Sequence, residues 1–309
     1  MAGDMQGRAG HPIQVPESFL AMPRWWSDGD AWLEALPGLV EEMCHWWGLD
    51  LDGEPMHGSN ALVVPVTRSG EPLALRLAPV DERTASEVEA LRFWDGQGVV
   101  RLIEADLPRS AMLLERLDGG STLASLPLEE AIPVIGRLIR RLAVPAPPHV
   151  RSTADLVRDR LISMPDEWES LGRPFERATL DLALAGGEAV RETESTLAVN
   201  GDIHFEQVLR GEREPWLVVD PVLLRGDIAY DLARVLWTRL DEMADDAAIR
   251  HWLAVLVGSA GLDWERSVAW VRFRTVDYWL WGLSHGLTED PVRCARLIAA
   301  FSGKARFGE

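Results

Sequence analysis

Cysteine is scarce: Cys44 and Cys294 are the only two, set far apart and without a metal-ligand partner at short spacing. That excludes a disulfide framework and a local zinc site, and two buried thiols are expected. Long apolar runs are missing too. No stretch of about eighteen uncharged apolar residues occurs, and Met1–Pro16, which carries Asp4, Arg8 and His11, lacks the basic-then-apolar order of a secretion signal. A soluble, cytoplasmic protein is the expectation. Basic residues are in deficit, 31 Lys and Arg against 49 Asp and Glu, for a formal charge of −18. This charge repels nucleic acid and anionic membrane surfaces, so neither partner is expected, and its long-range field favours a cationic small molecule. Tyrosine is rare, two against fourteen tryptophans. Most of those tryptophans, such as Trp237, Trp252, Trp270, Trp279 and Trp281, fall in helix-like segments and read as core. No internal repeat or low-complexity tract interrupts the chain.

What is present suffices for a large core: 309 residues, of which 47% are hydrophobic, a size that favours two lobes. Apolar residues recur with helical period from Asp30 to Trp47 and stop near Gly48. Ala61–Val66 and Leu73–Leu77 read as a hairpin around Arg68-Ser69-Gly70-Glu71. Glu82–Trp94 reads as helix, Val99–Glu104 as extended and Ala111–Glu115 as a buried strand. Together these predict a small antiparallel sheet with one main helix over residues 1–117, behind an N-terminal helical extension. After Asp118 the pattern turns helical, at Leu128–Leu142, Thr153–Met164, Phe175–Thr193, Ile228–Met243, Asp246–Ser259 and Asp263–Leu287. Short strands are expected near residues 197–199, 207–210 and 216–219. The second domain is therefore set at 118–309, and the fold class is α+β.

The chemistry concentrates in Asn200-Gly201-Asp202-Ile203-His204-Phe205-Glu206-Gln207 and in Trp216-Leu217-Val218-Val219-Asp220-Pro221. Phosphoryl transfer passes through a loose transition state and needs positioning and charge neutralisation more than covalent help. A carboxylate must orient and deprotonate the acceptor hydroxyl, a role that Asp202 fits. Hard oxygen ligands must hold Mg²⁺ against nucleotide phosphates, and Asp220 with the Gln207 amide supplies them. The interval from Asp202 to Gln207 equals the Asp-to-Asn interval of kinase catalytic loops. Taken singly, Asp202 is an ordinary turn aspartate after glycine and Asp220 a strand-ending aspartate before proline. Their order and spacing make the functional reading the stronger one. His204 is assigned a supporting role in the loop.

With Gly226-Asp227-Ile228-Ala229-Tyr230-Asp231-Leu232-Ala233 following, the stretch resembles the aminoglycoside phosphotransferases, and within them the streptomycin 6-phosphotransferase and hydroxyurea-kinase branch. Further likeness lies in Leu36-Pro37-Gly38-Leu39-Val40, Leu91–Gly98, Leu113–Leu117 and Arg213–Leu217, and it spans about residues 30–290. The resemblance implies a two-lobe, protein-kinase-like fold, ATP or GTP as donor, Mg²⁺, and a hydroxylated antibiotic or similar small acceptor. By position it implies Asp202 as catalytic aspartate, Gln207 and Asp220 as metal ligands, and Asp231 as a helix-start or loop-bracing residue rather than a ligand. A phosphate-covering turn would be His57-Gly58-Ser59-Asn60, although an ordinary hairpin accounts for Gly58, Ser59 and Asn60 equally well. Glu115 and Leu117 would border the nucleotide base. Arg76 takes the place of the strand lysine that pairs with phosphates, and Glu87, about one helical turn before Ala90-Leu91-Arg92, is its first-choice partner, with Glu82 and Glu89 as alternatives. Asp277 and Trp281, in an aromatic segment of the last long helix, are candidate acceptor contacts.

Three positions depart from the family pattern: Arg76 for lysine, Asn200 for the histidine that opens the loop, and Gln207 for asparagine. Arginine keeps the charge in a bulkier planar fork, and glutamine keeps the carbonyl one methylene further out. Two readings follow. One is a small-molecule O-phosphotransferase; the other is a catalytically weakened, nucleotide- or ligand-binding pseudokinase.

Overall fold

A computed structural model describes residues 13–22 and 29–303; the part of the N-terminal reading that concerns residues 1–12 lies outside them. The chain divides into two compact units, Met1–Asp95 with Val100–Gly119, and Gly96–Val99 with Gly120–Glu309. Among the described residues no helix is long and apolar enough to cross a membrane.

In the first unit, a short helix α1 (Glu17–Leu20) and the long α2 (Gly29–Trp47) precede strands β1 (Asp50–Leu51), β2 (Met56–His57), β3 (Leu62–Arg68) and β4 (Glu71–Leu77). Helix α3 (Glu82–Trp94), β5 (Leu102–Asp106) and β6 (Ala111–Glu115) complete it. The antiparallel sheet runs β1-β3-β4-β6-β5, with β2 also paired to β3. Alternation along the strands sorts the side chains to two faces. Leu62, Val64 and Val66 of β3 pair with Leu77, Leu75 and Leu73 of β4, and all six join Leu33, Leu36, Val40 and Met43 of α2 in one buried cluster. Arg76, one residue out of phase with that face, pairs with Val63 and Met112. Helix α3 begins where the Asp81 carboxylate accepts the Arg83 N–H at 2.9 Å. It buries Val88, Ala90, Leu91 and Trp94.

The second unit is mostly helical. After β7 (Asp118–Thr122) come α4 (Leu128–Leu142), α5 (Thr153–Ser170) and α6 (Arg177–Val190). Four short strands follow, β8 (Leu197–Val199), β9 (Val208–Arg210), β10 (Leu217–Val218) and β11 (Leu224–Gly226). Helices α7 (Leu232–Thr238), α8 (Asp246–Ala260), α9 (Trp264–Ser284) and α10 (Glu289–Ala300) close the chain. Helices α6 and α9 approach closely because α6 offers glycines: a Cβ on Gly186 would lie 2.7 Å from the Ala269 carbonyl oxygen, and one on Gly187 2.7 Å from the Phe273 ring. Gly96–Val99 joins this unit through the Val218 N–H, which donates to Gly98 O at 3.0 Å, and through Arg213, whose guanidinium donates to Gly96 O and Val99 O.

Several boundaries differ from the sequence reading. Helix α5 continues past Met164 and through Pro165, because Met164 and Trp168 are both buried on its inner face and tertiary burial outweighs one missing hydrogen bond. The expected helix over 228–243 is instead a 3₁₀ turn (Ile228–Asp231), α7, and a second 3₁₀ turn (Leu240–Glu242). Of the two thiols, Cys294 is buried and Cys44 only partly so, and both are free.

Candidate active site

Strands β8 and β11 pair antiparallel, Val199 opposite Leu224 and Leu197 opposite Gly226, and the loop 200–207 leaves the end of β8. Asn200 is buried, and its Oδ1 accepts the Asp202 N–H at 3.3 Å. This is a side-chain turn of the kind Asn favours. Gly201 sits at φ 81°, and a Cβ there would lie 2.9 Å from Leu224 Cδ1, so glycine is required. Its N–H donates to Asp231 Oδ1 at 2.9 Å. Beyond the loop, Val219 N–H donates to Gln207 O at 2.8 Å, which extends the β9–β10 pairing to the residue before Asp220. Asp220 has φ 50°, a left-handed conformation that costs a non-glycine residue energy and that tends to occur at working sites.

Each oxygen of the Asp202 carboxylate has a neighbour, an ion-pair contact at one and a hydrogen bond at the other. Arg234 Nε of α7 lies 2.8 Å from Oδ1, and Gln207 Nε2 donates to Oδ2 at 3.3 Å. Burial pushes the proton affinity of Asp202 upward, against the opposing pull of Arg234, Gln207 and Arg274. Asp231, fully buried behind the loop, is pushed up to about 7 by desolvation, with Arg274 and the Gly201 N–H holding it down. His204 is lowered to about 3, by burial first and then by Arg234, while Asp220 opposes the shift. It is a neutral imidazole packed in the loop.

Gln207 shows how a cation fits here. Its Nε2 is committed to Asp202, and its Oε1 is buried without a hydrogen-bond partner. That leaves a hard carbonyl oxygen uncommitted, a donor of the kind that suits Mg²⁺. Among the described residues no group of three or more His, Cys, Asp or Glu is arranged to hold a metal alone. This accords with an ion that takes most of its ligands from phosphates and water.

In the first unit, the Arg76 guanidinium lies 3.0 Å from Glu87 Oε2, with both side chains nearly buried, 10% and 12% exposed. The α3 glutamate chosen from sequence is thus its partner; Glu89 is exposed, and the Glu82 side chain lies outside the described residues. The turn after β2 is a hairpin closure: the Gly58 N–H donates to Ala61 O at 3.0 Å, so that amide is spent inside the turn, while Ser59 is exposed and Asn60 partly so. His57 is held by Ser18 and stacks on Phe19. Glu115 Oε1 accepts the Arg101 N–H at 2.7 Å, which ties its carboxylate to the neighbouring backbone, and Leu117 just beyond is partly buried.

A sequence model of the family described as aminoglycoside/hydroxyurea antibiotic resistance kinase matches residues 46–286. The chain belongs to this family. It is 37% identical over 306 residues to the hydroxyurea phosphotransferase of Kitasatospora aureofaciens, covering 96% of this chain and 88% of that one. It is 36% identical over 305 residues to the streptomycin 6-kinase of Streptomyces glaucescens, covering 94% and 98%. Among solved structures it resembles a thermostable mutant of aminoglycoside phosphotransferase APH(4)-Ia, in ternary complex with ADP and hygromycin B, with a TM-score of 0.61 at 16% identity, covering 86% of this chain and 98% of that one. It also resembles the choline kinase LicA of Streptococcus pneumoniae, with a TM-score of 0.58 at 10% identity over 87% and 99% of the two chains. The fold is the α+β, protein-kinase-like one, and the protein is a small-molecule phosphotransferase. The alternative of a weakened, purely binding relative gains no support from these likenesses.

Two further residues of the kinase were read from sequence as acceptor contacts. Trp281 is 44% exposed and belongs to a series of stacked rings: Trp237 on Tyr278 at 4.4 Å, Tyr278 on Trp281 at 5.3 Å, and Trp281 on His285 at 4.3 Å. The Asp277 side chain is 13% exposed. Its two oxygens take Arg160 Nε at 2.5 Å and Arg274 Nη1 at 2.6 Å.

Sequence reasoning missed the arginines. Arg234, Arg274 and Arg160 all act on carboxylates of the site or its support, yet nothing in a window of sequence separates them from the surface arginines of an arginine-rich chain. The one usable signal was position: Arg234 lies three residues after Asp231, one turn along the same helical segment.

Proposed function

We propose that this kinase moves the terminal phosphoryl group of a nucleoside triphosphate, ATP or GTP, onto a hydroxyl of an aminoglycoside or a similar antibiotic-like, cationic acceptor. The observation that carries the reading is the held carboxylate of Asp202, fixed by Arg234 and Gln207 at the head of its loop. It orients the acceptor hydroxyl and takes its proton as the acceptor oxygen bonds to the terminal phosphorus and the bridging P–O bond of the donor breaks. Burial raises its proton affinity, which suits a base at neutral pH. Gln207 Oε1 and Asp220 are the residues that would hold Mg²⁺, which neutralises the phosphate charge when bound. Arg76, fixed by Glu87, serves the donor phosphates with a planar fork. Trp281 offers the acceptor an aromatic face, and the charge of −18 draws a cation toward the enzyme. The cytoplasm, where nucleoside triphosphates are supplied, is the assigned location.

The test is nucleotide consumption with Mg²⁺ in the presence of a panel of aminoglycosides and other hydroxylated antibiotics, followed by mass spectrometry for one added phosphoryl group. Acceptor-dependent turnover by the wild type and not by Asp202→Ala supports the reading. Equal rates for the two proteins, or no modified acceptor, sink it.

A further inference from the structure

We propose that Asp277 is a positioning residue for the catalytic loop rather than a contact for the acceptor. The proposal rests on the reading of Asp202 as the reacting carboxylate.

The side chains concerned form a line of alternating charge within the second unit. On α5, Glu167 takes Arg160 Nη2 at 2.6 Å, and Ser163 Oγ takes Arg160 Nη1 at 3.0 Å. Arg160 Nε donates to Asp277 Oδ1 on α9 at 2.5 Å. Asp277 Oδ2 accepts Arg274 Nη1 at 2.6 Å. The Arg274 guanidinium then lies 4.1 Å from the centre of the Tyr230 ring, and its charge acts on Asp231 and on Asp202. Asp231, next to Tyr230 in the 3₁₀ turn, holds the Gly201 N–H. Four elements, α5, α9, the 228–231 turn and the loop 200–207, are joined in this order.

Asp277 is the member that makes the line possible. Its side chain is 13% exposed and Arg274 is 15% exposed, so two guanidiniums meet one carboxylate with little water between them. Without that carboxylate they face each other as like charges in a poorly screened place. Arg274 would then leave the Tyr230 ring, where cation–π attraction now adds to its hold. Asp231 would lose the cation beside it, and the loop would lose the fixed acceptor for its Gly201 N–H. With each oxygen paired to an arginine and the side chain only 13% exposed, Asp277 is poorly placed to meet an acceptor ammonium.

The experiment compares the wild type with Asp277→Asn and Asp277→Glu, reading kcat, the KM for each substrate, and amide hydrogen exchange across residues 200–204. A positioning role predicts that Asp277→Asn lowers kcat by about tenfold or more, keeps both KM values within about threefold and speeds exchange at Gly201, because a small misplacement of a reacting group is costly. Asp277→Glu recovers most of the loss. A raised acceptor KM with kcat intact restores the acceptor-contact role and overturns the proposal, as does a fall in kcat with Gly201 exchange unchanged. If Asp277→Asn fails to fold, Arg274→Lys and Arg160→Met replace it: the first is predicted to lose more kcat than the second, and equal losses overturn the proposal. Exchange at Gly201 needs no turnover, so an inactive wild type would count against the functional reading alone.

Discussion

Arg234 Nε lies 2.8 Å from Oδ1 of Asp202, and the same guanidinium stands 5.7 Å from the ring centres of both Trp237 and Tyr278. Those two rings stack at 4.4 Å with 9° between their planes, so the cation rests against an aromatic pair and has few other places to go. Its task follows from that confinement: it fixes one oxygen of the carboxylate while Gln207 fixes the other.

Loss of Arg234 therefore frees Asp202 without removing it. We expect Arg234→Met to lower kcat about a hundredfold, with Arg234→Lys intermediate and the nucleotide KM little changed. Asp202→Asn, which removes the carboxylate proposed to accept the proton, is expected to cost about 10²–10⁴-fold. Steady-state kinetics on the three variants checks the order; Arg234→Met slower than Asp202→Asn would contradict it.

The Arg76–Glu87 pair is enclosed enough for a one-sided deletion to be expensive. Glu87→Ala leaves a guanidinium nearly out of water, a loss of about 3–5 kcal/mol. Arg76→Met combined with Glu87→Leu removes both charges and should recover most of that stability while nucleotide binding stays impaired. Denaturant midpoints and nucleotide titration of the two variants read the two effects separately.

Gly201→Ala tests the backbone of the loop. The left-handed conformation and the 2.9 Å approach of Leu224 Cδ1 to the new Cβ together predict a loss of about 1–3 kcal/mol, with activity falling further because Asp202 is the next residue. Gly201→Ala combined with Leu224→Ala should regain part of the stability. Thermal unfolding of both variants decides whether the contact or the φ angle dominates.

The buried carboxyl of Asp231 gives a pH dependence of defined sign. In the unfolded chain it titrates near its ordinary value of 3.8 and in the fold near about 7, so between these values the native state binds a proton that the unfolded state does not. Stability from this group is complete below pH 3.8 and falls as pH rises toward about 7. His204, lowered from 6.5 to about 3, acts in the opposite sense, because there the unfolded state binds the extra proton and stability grows with pH. The two slopes oppose each other between about pH 4 and pH 6.5. Asp231→Asn removes one of them, so its stability is expected to rise more steeply with pH over that window than that of the wild type. Urea titrations at half-unit pH intervals measure the difference, and parallel profiles would refute it.

The sequence was most legible where a local rule and the fold agreed. Alternation marked Leu73–Leu77 as a strand with a buried face; the family resemblance then pointed to Arg76 within it and, about one helical turn before Ala90-Leu91-Arg92, to Glu87 in α3. The loop from Asn200 to Gln207 was readable because its chemistry is written in consecutive residues. Helix α10 went unrecognised even though Glu289 and Asp290 mark its first turn and Cys294, Leu297 and Ile298 form its buried stripe; Pro291 is tolerated in that first turn, where a helix has no intrahelical partner for its N–H groups. Asp277 is a different case. Its aromatic neighbours Trp279 and Trp281 drew the acceptor reading, while its ion-pair partners, Arg160 and Arg274, reach it through tertiary packing that spacing alone does not encode.

The guanidinium in β4 also sets how this kinase can be detected. Reagents that mark nucleotide-handling proteins by acylating a strand amine need a nucleophilic nitrogen, and arginine, protonated at any workable pH, does not provide one. The chain holds a single lysine, Lys304, far in sequence from β4. Labelling directed at a strand amine would find none in β4, and guanidine-selective dicarbonyls are the better tags there.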